Sequence, residues 1–253
     1  MTFLELYGTE LDRELGTVDR SQRFTTARRQ AAINAAQVEF VKRTECLTRS
    51  VSISLVDGTR EYDLEASISD FGWISKQGLS ISVTDGTTTW YYEGDDLTFT
   101  TIERLNAEHP GWRAWTAGIP KYYYIDRNGG ALNLGFAPAP DFDGDTAAVR
   151  VHAVVLPADM SADADEPFTI SSNPIKSLRF HHRALVYYAA FDLEKLRKDP
   201  QREGLFSQLF DAEIEKYFAA MKPKGGQQVR FARHYRSEAA HGIGRVPDPR
   251  RYP

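Results

Sequence analysis

The six histidines of this 253-residue chain are His109, His152, His181, His182, His234 and His241. Only His181 and His182 are adjacent, and they fall in a helical pattern. Neighbours on a helix point about 100° apart, so the two rings do not converge on one metal. They read as one packed histidine and one solvated one. Asp141, Asp143 and Asp145 in PDFDGD imitate a calcium loop, but the glycine comes too early and His152 stands where a bidentate glutamate is needed. A turn between strands explains the same residues. Asp163, Asp165 and Glu166 in ADADEP read as a solvated loop or a helix-entry segment. No metal or other cofactor is expected.

Nor does a catalytic signature emerge. The chain holds no GxSxG, P-loop, HExxH or GxGxxG. Trp112 and Trp115 in HPGWRAWTAG, followed by Lys121-Tyr122-Tyr123-Tyr124, would suit a sugar platform. Paired carboxylates for glycoside hydrolysis need a chosen pair, and nothing here selects one. A glycan-binding module or hydrolase stays open as an alternative. Packing within the core or between subunits is the stronger reading of these aromatics, and the chain is expected not to be an enzyme.

The remaining chemistry lies at the C-terminus. QQVRFARHYR interleaves Arg230, Arg233 and Arg236 with Phe231 and Tyr235, and the last residues, GIGRVPDPRRYP, add Arg245, Arg250, Arg251 and Tyr252. Arginine with aromatics suits protein interface anchors and single-stranded nucleic acid, so a nucleic-acid-binding protein is the second alternative. Proline fixes φ, removes a donor and restricts the residue before it. The last twelve residues therefore cannot form a helix or a central strand, and the tail is too poor in apolar residues to fold alone.

Charge separates this tail from the rest. The chain carries −4 overall, yet Lys222 to Pro253 carries +6 and the remaining 221 residues carry −10. An acidic body does not bind nucleic acid by charge, whereas a basic tail fits nucleic acid or an acidic protein surface. Apolar residues at 42% and charged residues at 26% are ordinary for a globular protein of one or two domains. Cys46 is the single cysteine, so no intrachain disulfide forms and a reducing compartment is the easier reading. The acidic, amphipathic start has the wrong pattern for a signal peptide. The longest apolar run, Ala184 to Phe191, is too short to span a bilayer, and no membrane partner is expected.

Hydrophobic periodicity divides the chain into four regions. Residues 1–48 read as two helices. Thr2 and Glu5 have capping-box spacing, Leu4, Tyr7, Leu11 and Leu15 form a stripe, and Gly16 ends it. Asp19 and Gln22 are expected to cap a second helix from about Ser21 to Leu47. Its face would be Phe24, Ala27, Ala31, Ala35, Val38 and Val41. Residues 49–157 alternate as short strands with Asp-Gly and Asn-Gly-Gly turns. REYDL is expected as the hairpin partner of SVSISLV, Ile102 to Glu108 as one or two helical turns, and Asn128 to Gly130 as a hairpin tip. An antiparallel sandwich or partly open barrel follows.

Residues 158–222 return to helices. Asn173 and Pro174 would start one whose face is Leu178, Leu185, Ala189, Leu193 and Leu196, and Asp199-Pro200 would end it. The last helix would bury Leu205, Leu209, Phe210, Ile214, Tyr217, Phe218 and Met221. Residues 223–253 form the extended basic tail. The expected class is α+β, a bundle of N- and C-terminal helices with an inserted β domain. The alanine face of the second helix and Tyr187-Tyr188 are candidates for packing within or between subunits.

Four runs carry a resemblance. GIPKYYYID (Gly118 to Asp126), ALNLGFAPAPD (Ala131 to Asp141), VRVHAVVLPADMSADADEPF (Val149 to Phe168) and HHRALVYYAAFDLEKLRKDP (His181 to Pro200) resemble tailed-bacteriophage head-to-tail adaptor proteins. The resemblance implies a ring, usually twelvefold, of neighbouring adaptor subunits in the virion neck beneath the portal protein. Helical bundles would pack around a channel through which DNA passes without sequence-specific binding. The β part would face outward or towards a downstream tail or nozzle protein. The C-terminal segment would reach into the portal, with Arg230, Phe231, Arg233, Tyr235, Arg236, Arg245, Arg250, Arg251 and Tyr252 as its docking residues. Such a protein is synthesised in the host cytoplasm.

Overall fold

The computed structural model describes residues 1–16, 24–93, 96–128, 131–142, 144–170 and 173–221. The nine tail residues named above, and the expected Asp19/Gln22 cap, lie outside the described residues.

The chain is α+β. A π-helical stretch, Glu5–Glu10, runs into α1 (Leu11–Leu15). The capping box at its start is formed, with the Thr2 N–H donating to Glu5 Oε2 at 2.7 Å. Gly16 ends α1 at φ 71, the left-handed cap that glycine adopts without a Cβ clash. A π turn holds more residues than an α turn and shifts the buried face. Phe3, Leu6, Tyr7, Leu11 and Leu15 are buried while Leu4 is exposed.

Helix α2 spans Thr26–Thr44, shorter than expected at both ends. Thr25 caps it, accepting from the Arg28 N–H, and Lys42 and Arg43 stand in the last turn where the helix dipole favours cations. The buried face is also rotated from the expected one. Ala32, Ile33, Ala36, Gln37, Phe40, Val41 and Thr44 point inward, and Ala27, Ala31 and Ala35 are exposed. The alanine stripe misleads because Gln37 and Thr44, both polar, are buried with hydrogen-bond partners.

The strands form two four-stranded sheets and one two-stranded pair. The first sheet has the order β1-β8-β3-β4, all antiparallel. Its strands are β1 (Thr48–Ser54), β3 (Phe71–Asp85), β4 (Thr88–Glu93) and β8 (Thr146–Val155). The second has the order β2-β7-β6-β5, from β2 (Glu61–Asp63), β5 (Thr98–Phe99), β6 (Tyr122–Asn128) and β7 (Ala131–Ala137). Here β5 and β6 are parallel, so the second sheet is mixed and not wholly antiparallel. REYDL does not answer SVSISLV. Instead β1 pairs with β8 and β2 with β7, so the Val56–Thr59 turn carries the chain from one sheet to the other. The expected hairpin at Asn128 is present, with Asn128 opposite Ala131. Two short helices, α3 (Leu64–Ser67) and α4 (Ile102–Glu108), lie between strands, each with a side-chain cap from Asp63 or Thr101.

Asn173-Pro174 does not start a helix. It forms β10 (Asn173–Pro174), paired with β9 (Thr169–Ile170), and a 3-10 turn at Lys176–His181 leads into α5 (His182–Arg197). Asp199 then caps α6 (Pro200–Met221), accepting from the Arg202 N–H at 3.3 Å, and Pro200 takes the first position, where a missing N–H costs nothing. Leu178, Leu185, Ala189 and Leu193 are buried as expected, but Leu196 is exposed. On α6, Phe206, Phe210, Ile214 and Tyr217 are buried, whereas Leu205, Phe218 and Met221 are not.

Helices from both ends of the chain pack together. Phe40 of α2 meets Phe210 and Tyr217 of α6 at centroid distances of 6.5 and 5.8 Å. One cluster of buried side chains joins these helices to the inner faces of both four-stranded sheets. A second, smaller cluster lies on the far side of β6 and β7, where α4 and a 3-10 turn at Trp112–Ala114 cover Tyr124 and Ala137.

Candidate interaction site

The acidic segment after β8 is anchored more firmly than a solvated loop. Asn34 and Gln37, one turn apart on α2, hold its backbone. The Phe168 N–H donates to Gln37 Oε1 at 2.8 Å, and Asn34 both donates to the Met160 carbonyl at 3.0 Å and accepts from the Met160 N–H at 3.1 Å. The N-terminus binds the other side. The N–H groups of Phe3 and Leu4 donate to the carbonyls of Asp165 and Asp163, and Tyr7 Oη donates to Asp163 Oδ1 at 2.6 Å. Buried Phe168, at φ 58, fills the space between Phe40 and His182. Sequence reasoning missed Asn34 and Gln37. The available signal was two amides at i and i+3 between apolar positions of a helix, a spacing that can satisfy buried backbone groups.

These acids have local duties. Asp165 accepts from the Ser161 and Ala162 N–H groups, which hold its carboxyl below the usual range. Glu166 pairs with Arg179 at 2.7 Å, which lowers its pKa likewise. Asp145 and Gly144 sit in a turn between β7 and β8, with the Asp145 N–H donating to the Phe142 carbonyl; Asp143 lies outside the described residues. Among the described residues no group of three or more His, Cys, Asp or Glu side chains is placed to hold a metal.

Trp112 is no sugar platform. It is 2% exposed, the guanidinium groups of Arg113 and Arg60 lie over its ring at 4.5 and 5.1 Å from the centroid, and its Nε1 donates to Asn106 Oδ1 at 2.9 Å. Trp115 is half-buried against His109 and Tyr122. Both rings serve the smaller core.

Neither histidine of the pair is freely solvated. His181 stacks on Phe40 at 6.0 Å and meets Tyr217 edge-on at 5.3 Å, and His182 is buried beside Phe168. Burial is the main cause that pushes the His182 pKa down to about 4 from 6.5. The folded chain therefore keeps this ring neutral where the unfolded chain charges it. Its contribution is fully present above pH 6.5 and is lost as pH falls from 6.5 towards 4. Urea titrations of wild type and His182→Leu at a series of pH values are expected to show a stability difference that moves in favour of the leucine variant over that interval. A difference that stays constant with pH would refute this account.

Several apolar groups face solvent in the single chain. Phe180, in the 3-10 turn before α5, is 85% exposed, and Met221, the last residue of α6, is 66% exposed. His181 touches Tyr217, so the turn carrying Phe180 lies beside the last turns of α6, where Phe218 is also exposed. Tyr187 and Tyr188 of α5 are half-buried, and Tyr188 packs on Phe210. Phe180, Phe218 and Met221 thus lie on neighbouring turns near the end of the described chain, while other exposed apolar groups such as Val56, Phe99 and Leu205 lie elsewhere. No helix among the described residues is long and apolar enough to cross a membrane.

No curated protein matches the chain. A family model described as SU10 adaptor protein matches residues 1–237, a span that takes in every described element and extends through Arg230, Phe231, Arg233, Tyr235 and Arg236. The match covers far more than half of the sequence, and the chain belongs to this family of phage head-to-tail adaptors.

Proposed function

We propose that the chain is a structural protein of the virion neck, forming a ring of about twelve subunits beneath the portal and docking into it by its C-terminal tail. The observation that carries this reading is the family match over residues 1–237. The exposed Phe180, Phe218 and Met221, in the turn before α5 and at the end of α6, support it, because large apolar groups left in solvent on neighbouring turns suit an interaction surface. Domains of helices (1–48 and 158–222), β structure (49–157) and tail (223–253) would divide the work: subunit packing, tail-side contacts and portal docking.

Charge suits each role. The +6 of residues 222–253 fits an acidic groove on the portal, with Arg230, Phe231, Arg233, Tyr235, Arg236, Arg245, Arg250, Arg251 and Tyr252 as anchors. Prolines at 247, 249 and 253 restrict the free tail, so ordering it on docking costs less entropy. The −10 of the other residues suits a channel wall along which DNA slides without sticking. The partners would be portal, neighbouring adaptors and a downstream tail or nozzle protein. No cofactor takes part.

The test is the mass of the complex in solution. Full-length chain mixed with the portal of its own phage is expected to give a fixed ring stoichiometry by light scattering, and a chain ending at Pro223 is expected to remain unbound. Portal binding that survives the truncation would remove the docking role of the tail. A full-length chain that ignores the portal would remove the adaptor reading.

A further inference from the structure

Among the described residues, both edges of the first sheet are bare. Strands β1 and β4 bound the order β1-β8-β3-β4, and among the described residues neither pairs with a further strand. Open edges are ordinarily shortened, bulged, covered or charged to prevent pairing. Here β1 is seven residues, TRSVSIS, and β4 is six, TTWYYE. Each has one charged residue, neither has a proline, and no register shift interrupts either pairing. The core-facing side chains of these edges, Val51 and Ile53 on β1 and Trp90 and Tyr92 on β4, are only half-buried. Each edge therefore ends in apolar groups left half open where a next strand would cover them.

We infer that β1 of one copy pairs with β4 of the next, so that this sheet continues from subunit to subunit; the inference rests on the adaptor reading above and adds a sheet contact between subunits to the helix packing. Three features make the occupant a second copy. First, the sheet has four antiparallel strands. With an even number, β4 and β1 of successive copies are themselves antiparallel, and the alternation never breaks.

Second, the hydrogen-bond phase matches. The Leu55 N–H donates to the Ala147 carbonyl and the Val155 N–H to the Leu47 carbonyl. Every second residue of β1 between these points, Val51 and Ile53 included, therefore bonds towards β8. Ser50, Ser52 and Ser54 present their backbone groups outward. The β3–β4 hairpin turns through two residues, Gly86 and Thr87, closed by Asp85 opposite Thr88. The same alternation leaves Thr89, Tyr91 and Glu93 outward on β4. Outward residues on both edges share the sheet's outer face, so Ser52 can pair with Tyr91 while Val51 meets Tyr92 and Ile53 meets Trp90. Aromatic with β-branched residues are favourable cross-strand pairs.

Third, the two edges are unlike: β1 offers the β-branched Val51 and Ile53, and β4 the aromatic Trp90 and Tyr92. The contact is heterologous, since different edges meet, and heterologous contacts close into rings when the rotation allows. Two like edges meeting would end the assembly at a dimer.

The test is a disulfide placed across the inferred pair. Ser52→Cys and Tyr91→Cys are introduced together in full-length chain carrying Cys46→Ala. Both sites are exposed, Tyr91 at 60%, so folding is spared. A hydrogen-bonded antiparallel pair spaces Cα atoms about 5.5 Å apart, within disulfide reach. Within one chain the two edges are three strand spacings apart, roughly 14 Å, so any bond formed joins two copies.

Oxidation of the protein assembled on its portal is expected to give a covalent ladder on a denaturing gel. Ser50→Cys with Tyr91→Cys, two residues out of register, is expected to give none. Tyr91→Pro, which removes only an outward N–H, is expected to weaken assembly at least tenfold while leaving the unfolding midpoint within a few degrees. A chain that assembles on the portal without a ladder, or with equal ladders from both cysteine pairs, overturns the strand pairing and leaves the adaptor reading standing. A chain that assembles neither alone nor on the portal overturns both.

Discussion

Glu194→Ala is expected to destabilise the folded chain by about 3–5 kcal/mol, the usual cost of breaking a buried ion pair from one side. Glu194 has no exposed surface, and it holds two arginines. Arg197 Nη1 donates to both carboxylate oxygens at 3.0 and 2.9 Å, and Arg202 Nη1 lies 3.3 Å from Oε1. Arg202 in turn reaches across to α1, where its Nη2 donates to the Glu14 carbonyl at 2.9 Å and its Nη1 to the Leu15 carbonyl at 3.4 Å. Those are the last carbonyls of a helix, which attract cations and lack intrahelical donors. One carboxylate therefore ties α5 and α6 to the end of α1. The alanine variant leaves two arginines facing a cavity without their counter-charge. Glu194→Gln keeps the shape and one acceptor, so it is expected to cost less than the alanine. Urea unfolding followed by circular dichroism gives both values. Equal losses under about 1 kcal/mol for the two variants would show that water screens this pair as it does surface pairs.

The sequence shows this link only in part. Glu194 is at i−3 from Arg197, an ordinary pair on a solvated helix face, and nothing local reveals that α1 and α6 close over it. The same limit separates the legible from the illegible elsewhere. Elements set by local chemistry are readable: the Thr2–Glu5 box, the Gly16 stop, the short helix at Ile102–Glu108, the hairpin at Asn128, and the Asp199-Pro200 break. Partners set by distant contacts are not. REYDL alternates well, but its pairing with β7 depends on a segment some seventy residues onward, which periodicity cannot choose. The alanine stripe of α2 points outward because the opposite face meets a loop whose backbone needs Asn34 and Gln37. Asn173-Pro174 has helix-start chemistry, yet pairing with β9 takes it first.

The candidate site divides along the same line. The basic tail is read from charge and proline content, which are summed along the chain and need no fold, and its nine named residues lie outside the described ones. The exposure of Phe180, Phe218 and Met221 is not legible, since Phe218 and Met221 continue a stripe whose earlier members, Phe210, Ile214 and Tyr217, are buried. Only the position of the 3-10 turn beside α6 shows that the stripe outruns the chain's own core. Trp112 errs in the opposite sense. A Trp-x-x-Trp pair beside tyrosines suits a binding platform, but the first ring is buried, with the guanidinium groups of Arg60 and Arg113 over it.

The second large effect concerns a residue with no side chain. Gly135 lies on β7 opposite Tyr124 of β6, and the tyrosine ring folds over it. A Cβ at Gly135 would fall within the ring's van der Waals envelope, 2.6 Å from Oη and closer still to Cζ and Cε2. The ring has nowhere to go. It is fully buried, Trp112 meets it edge-on at 5.5 Å, and its hydroxyl reaches across β7 to donate to Glu61 Oε1 of β2 at 3.1 Å. Burial, with the Glu61 carboxylate beside it, drives the phenol pKa well above its ordinary value, so the neutral donor form persists. Gly135→Ala must therefore displace Tyr124, with the packing of Trp112 and Leu105 behind it, or bend β7. Overpacking of this kind costs about 3 kcal/mol, at the upper end of the usual range. The cause is separable from any intrinsic effect of alanine in a strand, which is small and favours alanine over glycine. In a Tyr124→Ala background, itself destabilised, the same Gly135→Ala change is expected to cost less than about 0.5 kcal/mol, giving a coupling energy near the full effect. Chemical denaturation of the four chains in that cycle measures it. Equal costs in both backgrounds would mean that the strand, and not the ring above it, requires glycine at this position.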